Sequence, residues 1–257
     1  MPLYLYGLMR ADDLGSSDSL AAGEQALPVE LIVHDGVAAL VSPVESEPVR
    51  LRRAAVTAHT EVLQRAFEHG PVLPLRFGTV VPDAEALKDE FLAPRGEGMK
   101  FQLDQLAGKG EFRLKVSYWE ERILRSILAQ DVSLKQSAEE LRGLPEAASH
   151  FQRVGLGERI ALAMETRRED DVQQLLSELQ PLAVAVEVGA LQQPAMVLNA
   201  SFLVAQEMRD RFDAAVERLA SERAELMEFK LIGPLPAHSF VDTQLAAPAT
   251  PAAGPAS

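Results

Sequence analysis

The sequence predicts an α+β protein with two domains and a disordered Ala/Pro tail. Its 257 residues are near the size at which one hydrophobic core stops growing and a chain divides. Segments with an apolar period of two residues alternate with segments whose apolar spacing is three to four, which indicates strands and helices in one chain. We therefore expect an N-terminal α+β domain over residues 1–108, a ferredoxin-like domain over residues 109–242 and a disordered tail over residues 243–257.

The N-terminal domain is predicted to begin with three strands. Residues 3–8 form a short apolar and aromatic run, and the polar residues 15–24 read as a loop. The β-branched runs 29–33 and 37–41 flank His34-Asp35-Gly36. Asp-Gly between such runs favours a hairpin, because both positions tolerate positive φ.

A long helix follows, with an apolar stripe at spacings of three and four residues. The stripe consists of Leu51, Ala54, Ala55, Ala58, Val62, Ala66 and Phe67. Ser46 or Glu47 is the expected cap, and Gly70-Pro71 ends the helix because proline cannot continue it.

Residues 72–81 are predicted to form an edge or bulged strand. Pro74 cannot donate a hydrogen bond to a neighbouring strand, and Gly78 weakens pairing. Arg76 interrupts an otherwise apolar run. Two roles stay open for it: a salt bridge or protection of a sheet edge, and contact with a partner or ligand. Pro82-Asp83 then opens a second helix, which Pro94 is expected to interrupt.

The second domain is predicted to begin after Gly108-Lys109-Gly110 with a strictly alternating strand. The expected inward residues are Phe112, Leu114, Val116 and Tyr118, and the expected outward ones are Glu111, Arg113, Lys115 and Ser117. A short helix and a polar connection over residues 131–145 lead to a long helix over residues 146–180. We expect its apolar face to begin at Phe151 and Val154 and to finish with Val172, Leu175, Leu176 and Leu179.

Strands over residues 182–188 and 196–204, a helix around Phe212 and a strand over residues 227–231 complete this domain. Leaving aside the short helix, the order is β, α, β, β, α, β. This order is typical of a ferredoxin-like unit, in which two helices cover one face of an antiparallel sheet. The tail after Asp242 is uncharged and rich in Ala and Pro, so we expect it to be disordered.

Composition excludes several function classes. The formal charge of -13 would repel a phosphate backbone, so we expect no nucleic acid partner. The absence of cysteine excludes thiolate chemistry. The first residues lack a basic segment followed by a long apolar one, and no stretch reaches the roughly 20 apolar residues of a membrane helix. We therefore expect a cytoplasmic protein without a lipid membrane partner.

Motifs of catalysis and cofactor binding are missing from the sequence. It contains no Gly-x-Ser-x-Gly, His-Glu-x-x-His or Gly-x-x-x-x-Gly-Lys-Ser/Thr motif. Gly155-Leu156-Gly157 is followed by Ile160 rather than glycine and lies in a helical pattern, so close backbone packing is favoured over dinucleotide binding.

Potential metal or acid/base residues also lack a suitable arrangement. His59 and Glu61 would point about 200° apart on a helix, which disfavours a shared metal ion. The acidic run 165–171 contains Arg167 and Arg168 and has the pattern of a solvated helix face. The sequence thus predicts no catalytic residues, no cofactor and no metal.

Several segments resemble the gas vesicle protein F/L family (GvpF/GvpL). A helix containing His59-Thr60-Glu61 leads into Leu73-Pro74-Leu75-Arg76-Phe77-Gly78-Thr79, which is similar to the family signature. Four further segments are similar to family segments and occur in the same order. They are the opening Tyr4-Leu5-Tyr6-Gly7, the segment 198–204, the helix around Phe212 and the ending 233–241. In that ending, Leu235, Ala237 and His238 stand where the family usually has Trp, Pro and Tyr.

The resemblance implies a non-enzymatic accessory or minor structural protein of gas vesicle assembly. Such a protein is expected to bind the hydrophobic major shell protein, to assist nucleation or prevent aggregation, and to meet other accessory vesicle proteins. It would be cytoplasmic and associated with gas vesicles. We expect the partner-binding residues to be Leu73, Leu75, Arg76, Phe77 and Gly78. The alternatives are a small-ligand-binding regulatory or enzymatic α+β protein, which a tight polar pocket around Arg76 would favour, and a generic interaction scaffold.

Overall fold

The computed structural model describes residues 1–13, 28–45 and 53–242, the side chains of 146–148 apart. Its first unit consists of Met1–Glu111 and the described residues from Gly233 onward, and its second unit is Phe112–Ile232. Residues 233–242, which the sequence-based division placed in the second domain, thus group with the first unit. The predicted loop 15–24, the caps Ser46 and Glu47 and the tail 243–257 lie outside the described residues.

The first sheet is antiparallel. Its strands are β1 (Leu3–Arg10), β2 (Glu30–His34), β3 (Val37–Pro43) and β4 (Val72–Pro74) in the order β2–β3–β1–β4, and β5 (Val80–Val81) also pairs with β1. Asp35 and Gly36 have φ values of 44° and 76°, so both turn residues are left-handed. The hairpin predicted from Asp-Gly is confirmed.

Two helical segments accompany this sheet. Helix α1 (Arg53–His69) buries Val62, Leu63 and Ala66. The second segment begins with α2 (Ala84–Ala86), continues through a π-helical turn (Leu87–Leu92) and a 3₁₀ turn (Ala93–Arg95), and ends with α3 (Gly96–Leu106). Pro94 lies in the 3₁₀ turn between the π-helical turn and α3, so the interruption predicted there occurs as a change of helix type. Its missing N–H is tolerated in the first turn of the 3₁₀ segment.

The remaining elements follow along the chain as β6 (Lys109–Tyr118), α4 (Glu120–Gln130), α5 (Val132–Arg142), α6 (Glu146–Leu179), β7 (Ala185–Val188), β8 (Met196–Ala205), α7 (Arg209–Glu222) and β9 (Met227–Leu235). Their four strands form the second sheet, in the order β7–β8–β6–β9. Phe112, Phe202 and Phe212 are buried in one core, and the ring centroid of Phe212 is 5.4 Å from that of Phe112 and 5.2 Å from that of Phe202. The chain is thus a mixed α+β protein with two antiparallel sheets.

Helix α5 corrects the polar connection predicted for residues 131–145. The Asp131 carboxylate accepts hydrogen bonds from the backbone N–H groups of Ser133 and Leu134 at 2.8 and 3.0 Å, which caps the helix. Leu134 and Leu141, both buried, are seven residues apart and therefore lie on one side of the helix. With only two buried anchors in a polar segment, the helical period is weak in the sequence.

Glu111 corrects the predicted outward face of β6. Its side chain is completely buried, and its Oε2 and Oε1 atoms accept hydrogen bonds from the Ser239 backbone N–H at 2.7 Å and the Ser239 hydroxyl at 2.8 Å. Ser239 lies in a short 3₁₀ turn, His238–Phe240. These bonds connect the C-terminal segment to the start of β6, which explains why residues 233–242 group with the first unit.

Asp171 corrects the solvated face predicted for residues 165–171. It is only 2% exposed, and its Oδ2 atom accepts hydrogen bonds from the Tyr118 hydroxyl at 2.6 Å and from Arg167 Nε at 2.8 Å. Asp171 lies one helical turn before the buried Leu175, so it faces the core although its neighbours are charged. The tyrosine and arginine satisfy the buried carboxylate.

Candidate functional site

The predicted partner-binding segment lies where β1 changes its partner strand. The Leu75 N–H donates to the Tyr6 carbonyl at 2.9 Å, and the Leu5 N–H donates to the Thr79 carbonyl at 2.9 Å. Between Leu75 and Thr79 the chain leaves the ladder. The segment predicted as one edge or bulged strand is therefore two short strands, β4 and β5, at the edge of the sheet with a turn between them.

The four residues 76–79 form this turn, which we call the Arg76–Thr79 turn. The Thr79 N–H and the Thr79 hydroxyl both donate to the Arg76 carbonyl, at 3.1 and 2.7 Å. Gly78 occupies the third position with φ of 90°. A type II turn requires positive φ at this position, which accounts for glycine in the motif.

Only part of the predicted site reaches the surface. Leu73 and Leu75 are buried, at 1% and 2% exposure, since β4 contacts both α1 and α3. Arg76 and Gly78 are exposed and Phe77 is half-buried. Within the part of the chain that the structure describes, Arg76 forms no ion pair. The turn therefore presents one unpaired cation beside a partly exposed aromatic ring.

A buried aromatic group supports the turn, and we call Tyr4, Tyr6, His59 and Phe77 the His59 cluster. Tyr4 Oη lies 2.7 Å from His59 Nδ1, and the Tyr6 and His59 rings stack with centroids 5.6 Å apart. The Phe77 ring centroid is 5.7 Å from that of His59 and 6.0 Å from that of Tyr4. The cluster thereby joins β1, α1 and the turn.

Burial keeps the His59 cluster uncharged at neutral pH. Burial lowers the pKa of His59 to about 4, against a hydrogen bond with the Leu75 backbone that raises it, and nearby His238 lowers it further. Burial also raises the pKa values of Tyr4 and Tyr6 above their ordinary range. Because His59 is only 4% exposed, it does not present a base to an external substrate. The cluster positions the turn.

A polar groove lies in the second unit. It has a volume of about 860 Å³, and its lining includes Lys115, Trp119, Arg122 and Gln192. Lys115 Nζ donates to Gln192 Oε1 at 3.2 Å, and the Arg122 guanidinium lies 5.6 Å from the Trp119 ring centroid. Arg76 is not among its lining residues. The groove is therefore not the pocket around Arg76 that a small-ligand function would require.

Residues 1–13, 28–45 and 53–242 contain neither a metal-binding group nor a membrane-spanning helix. No group of three or more His, Asp or Glu side chains in these ranges is arranged to hold a metal ion. No helix in them has the length and apolar character needed to cross a membrane.

Nearly the whole described chain matches the model of one known protein family. The family model described as "Gas vesicle synthesis protein GvpL/GvpF" matches residues 2–242. The chain belongs to the GvpL/GvpF family. The match includes the Arg76–Thr79 turn, β1 and the ending after Gly233, so the resemblance seen in the sequence motifs is confirmed.

Individual GvpL/GvpF relatives agree over nearly the whole chain. Gas vesicle protein F of a Streptomyces species is 34% identical over 249 residues, covering 94% of this chain and all of the relative. The crystal structure of GvpF from an Anabaena species superposes with a TM-score of 0.81 at 26% identity, covering 94% of this chain and 98% of that one. The crystal structure of GvpF from Microcystis aeruginosa has the same fold, with a TM-score of 0.74 at 24% identity over 94% of this chain and 99% of that one.

The ending of this GvpL/GvpF chain after Gly233 has a defined environment. Ala237 is buried at 3% exposure, and His238 lowers the pKa of His59. Sequence reasoning placed Tyr4 and His59 in separate segments and missed their pairing. The available signal was Tyr4 and Tyr6 at positions i and i+2 of one strand, which put both rings on the same face.

Proposed function

We propose that this chain is a non-enzymatic accessory protein of gas vesicle assembly that binds the hydrophobic major shell protein. In this role it assists nucleation of the shell or prevents aggregation of shell subunits. The observation that carries the proposal is the match of residues 2–242 to the gas vesicle synthesis family. Other accessory vesicle proteins are further proposed partners, and the proposed location is cytoplasmic and associated with the vesicles.

The Arg76–Thr79 turn is the proposed contact of the first unit. Arginine and aromatic residues are enriched among the side chains that dominate binding energy at protein interfaces. Arg76 and Phe77 supply both on a turn that Gly78 and the His59 cluster hold in place. Leu73 and Leu75 are buried and do not contact the partner directly; they anchor the turn to the sheet.

We also propose that the second unit is ferredoxin-like. The strand order β7–β8–β6–β9 supports this. Counted within this sheet, the first strand along the chain, β6, lies between the third, β8, and the fourth, β9, and the second, β7, lies at the edge. Such a scaffold is compatible with many functions, so its fold carries no argument about activity.

The small-ligand alternative depends on a pocket. Ligand sites are concave and surround most of the ligand with apolar groups and a few convergent polar ones. Arg76 lies instead on an exposed turn, which favours a protein partner.

A charge reversal tests the proposed contact. We expect Arg76→Glu to weaken capture of the co-expressed major shell protein at least about 10-fold, because the unpaired cation would be lost from the interface. Lys88→Glu is the matched control, since Lys88 is also exposed and in the first unit, and it should change capture less than about twofold. Equal capture by wild type and Arg76→Glu would contradict the assignment of this turn.

A further inference from the structure

Helix α6 carries apolar side chains on two opposite sides. On one side, Leu156, Ile160 and Met164 pack against the core of the second unit. On the other, Phe151 is 89% exposed, Val154 47% and Leu162 70%. Positions i, i+3 and i+11 lie on one face of a helix and here extend over about 16 Å. A surface helix normally has one apolar stripe, so the second stripe is unexplained by folding.

The predicted single apolar face of α6 was therefore wrong in its first half. Phe151 and Leu175 are separated by 24 residues, and at about 100° per residue their side chains point about 120° apart. Leu175 is fully buried, whereas Phe151 is the most exposed of the large apolar side chains described. Its position leaves an aromatic ring in water.

Two glycines on the same helix also lack an internal explanation. Glycine weakens a helix interior relative to alanine, so its presence in one normally reflects close packing. A Cβ atom added at Gly155 or Gly157 would have no atom within 4 Å. The close packing predicted for these glycines is thus wrong within the described chain. Gly155 lies one turn after Phe151, in the centre of the exposed stripe, where another backbone could approach closely.

The unpaired charges on this face are carboxylates, whereas Arg159, one turn after Gly155, donates to the Ser133 and Ser137 hydroxyls at 2.8 and 3.3 Å. Glu158 lies between Val154 and Leu162, and Glu169 continues the stripe toward the C-terminal end of α6. Both carboxylates are exposed, and neither forms an ion pair with a residue that the structure describes. We call Phe151, Val154, Gly155, Glu158 and Leu162 the Phe151 face. Its exposed side chains are apolar apart from the acidic Glu158, and Gly155 leaves open space beside them.

We propose that the Phe151 face docks an amphipathic helix of the major shell protein whose apolar stripe is flanked by Lys or Arg. This inference rests on the proposed function and names a surface and a partner chemistry for it. Phe151, Val154 and Leu162 would be covered by the partner stripe, and Gly155 would permit close approach of the two helices. Unpaired Glu158 and Glu169 select a basic partner helix, whereas a second copy of this face would bring like charges together.

Site-specific photocrosslinking tests the placement. A benzoylphenylalanine is introduced at position 151, 162 or 232 of the full chain, which is co-expressed with the major shell protein. Ile232 is the control, because it is 60% exposed and apolar but lies on β9. We expect shell-protein adducts from positions 151 and 162 and none from 232, with the adduct mapping to a basic amphipathic helical segment.

Matched substitutions test the energetics of the same contact. Phe151→Asp should weaken binding of purified shell protein at least about 10-fold, and Ile232→Asp should leave it within about twofold. Glu158→Lys should weaken binding and reduce its dependence on salt. Circular dichroism and unfolding curves for each variant separate lost binding from lost folding.

The outcomes separate this inference from the proposed function. If Phe151→Asp captures the shell protein as well as wild type does, this inference alone is overturned. Adducts only between copies of this chain, or an adduct in an acidic or non-helical segment, also overturn it. If wild-type protein does not bind the shell protein at all, the proposed function fails as well.

Discussion

At the residue scale, the Arg76–Thr79 turn depends on Gly78, which has no side chain, and on the buried Tyr4 and His59. Gly78 provides the left-handed backbone, with φ of 90°, and Tyr4 Oη lies 3.4 Å from the Gly78 N–H. Tyr4 in turn contacts His59 Nδ1. The exposed Arg76 and the half-buried Phe77 are therefore held in place by the backbone conformation at Gly78 and by a buried polar contact.

Gly78→Ala tests the backbone requirement. We expect the free energy of unfolding to fall by about 1–2 kcal/mol, because an L-residue is strained at this φ although space for its Cβ is available. Urea unfolding measures the change. Gly96→Ala is the control, since Gly96 has helical φ of -52° and an equally open surrounding, and it should not destabilise the protein.

His59 gives stability a defined pH dependence. Its folded-state pKa of about 4 lies below the ordinary value of 6.5, so the unfolded chain takes up a proton more readily. The stabilisation is complete above pH 6.5 and is lost as the pH falls toward 4. From pH 7 to pH 5 the contribution of His59 should decrease by about 2 kcal/mol.

Comparison with His59→Gln isolates this effect, because glutamine can bond to Tyr4 but does not titrate. Urea unfolding at pH 7, 6 and 5 should show a steeper loss for wild type than for the variant. Parallel curves for the two proteins would mean that His59 is not the titrating group.

At this scale the sequence predicted the exposed part of the site better than its support. The Arg-Phe-Gly order indicated a glycine-dependent irregularity and a charge at a sheet edge, and both occur. The burial of Leu73 and Leu75 depends on contacts with α1 and α3, which are distant in sequence. The same is true of the Tyr4–His59 contact across 55 residues.

At the element scale, strongly periodic segments were predicted well and segments with mixed periods were not. The alternation predicted for β6 holds from Phe112 to Tyr118, although Glu111 is buried as well. In α1 the predicted stripe is buried at Val62 and Ala66, whereas Ala54 is exposed. Helix α6 has apolar residues in two environments. Leu156, Ile160 and Met164 pack against the core, and Phe151 is exposed on the opposite side. Apolarity alone does not tell these two faces apart.

Gly155→Ala and Gly157→Ala test the account of α6. Each should raise the free energy of unfolding by about 0.5–1 kcal/mol, because alanine favours the helix and its Cβ would meet no neighbouring atom. Thermal or urea unfolding gives the values. Destabilisation by either alanine would indicate a packing neighbour at that glycine and would contradict the open face.

At the scale of the whole molecule, the chain returns to its first unit at the end. The Glu111 carboxylate binds the Ser239 N–H and hydroxyl, with Glu111 at the start of the second sheet and Ser239 near the end of the described chain. Sequence reasoning assigned Glu111 to a solvated face because it alternates with Phe112. A buried carboxylate that binds a segment 128 residues away leaves no local pattern.

Glu111→Ala tests this closure. Two hydrogen bonds from Ser239 to the buried carboxylate would be lost, so we expect the free energy of unfolding to decrease by about 2–3 kcal/mol. Limited proteolysis should then cut near residues 233–242 more readily than in wild type. Glu228→Ala is a suitable control, because that carboxylate is only partly buried and pairs with exposed Lys230 at 3.1 Å.

We propose that this GvpL/GvpF chain acts by binding the major shell protein. The most direct test of this proposal is affinity capture of the tagged full chain from cells that co-express the shell protein and form buoyant vesicles. The account predicts that shell protein is captured with wild type and much less with Arg76→Glu. No association of wild type with shell protein, under conditions in which vesicles form, would contradict it.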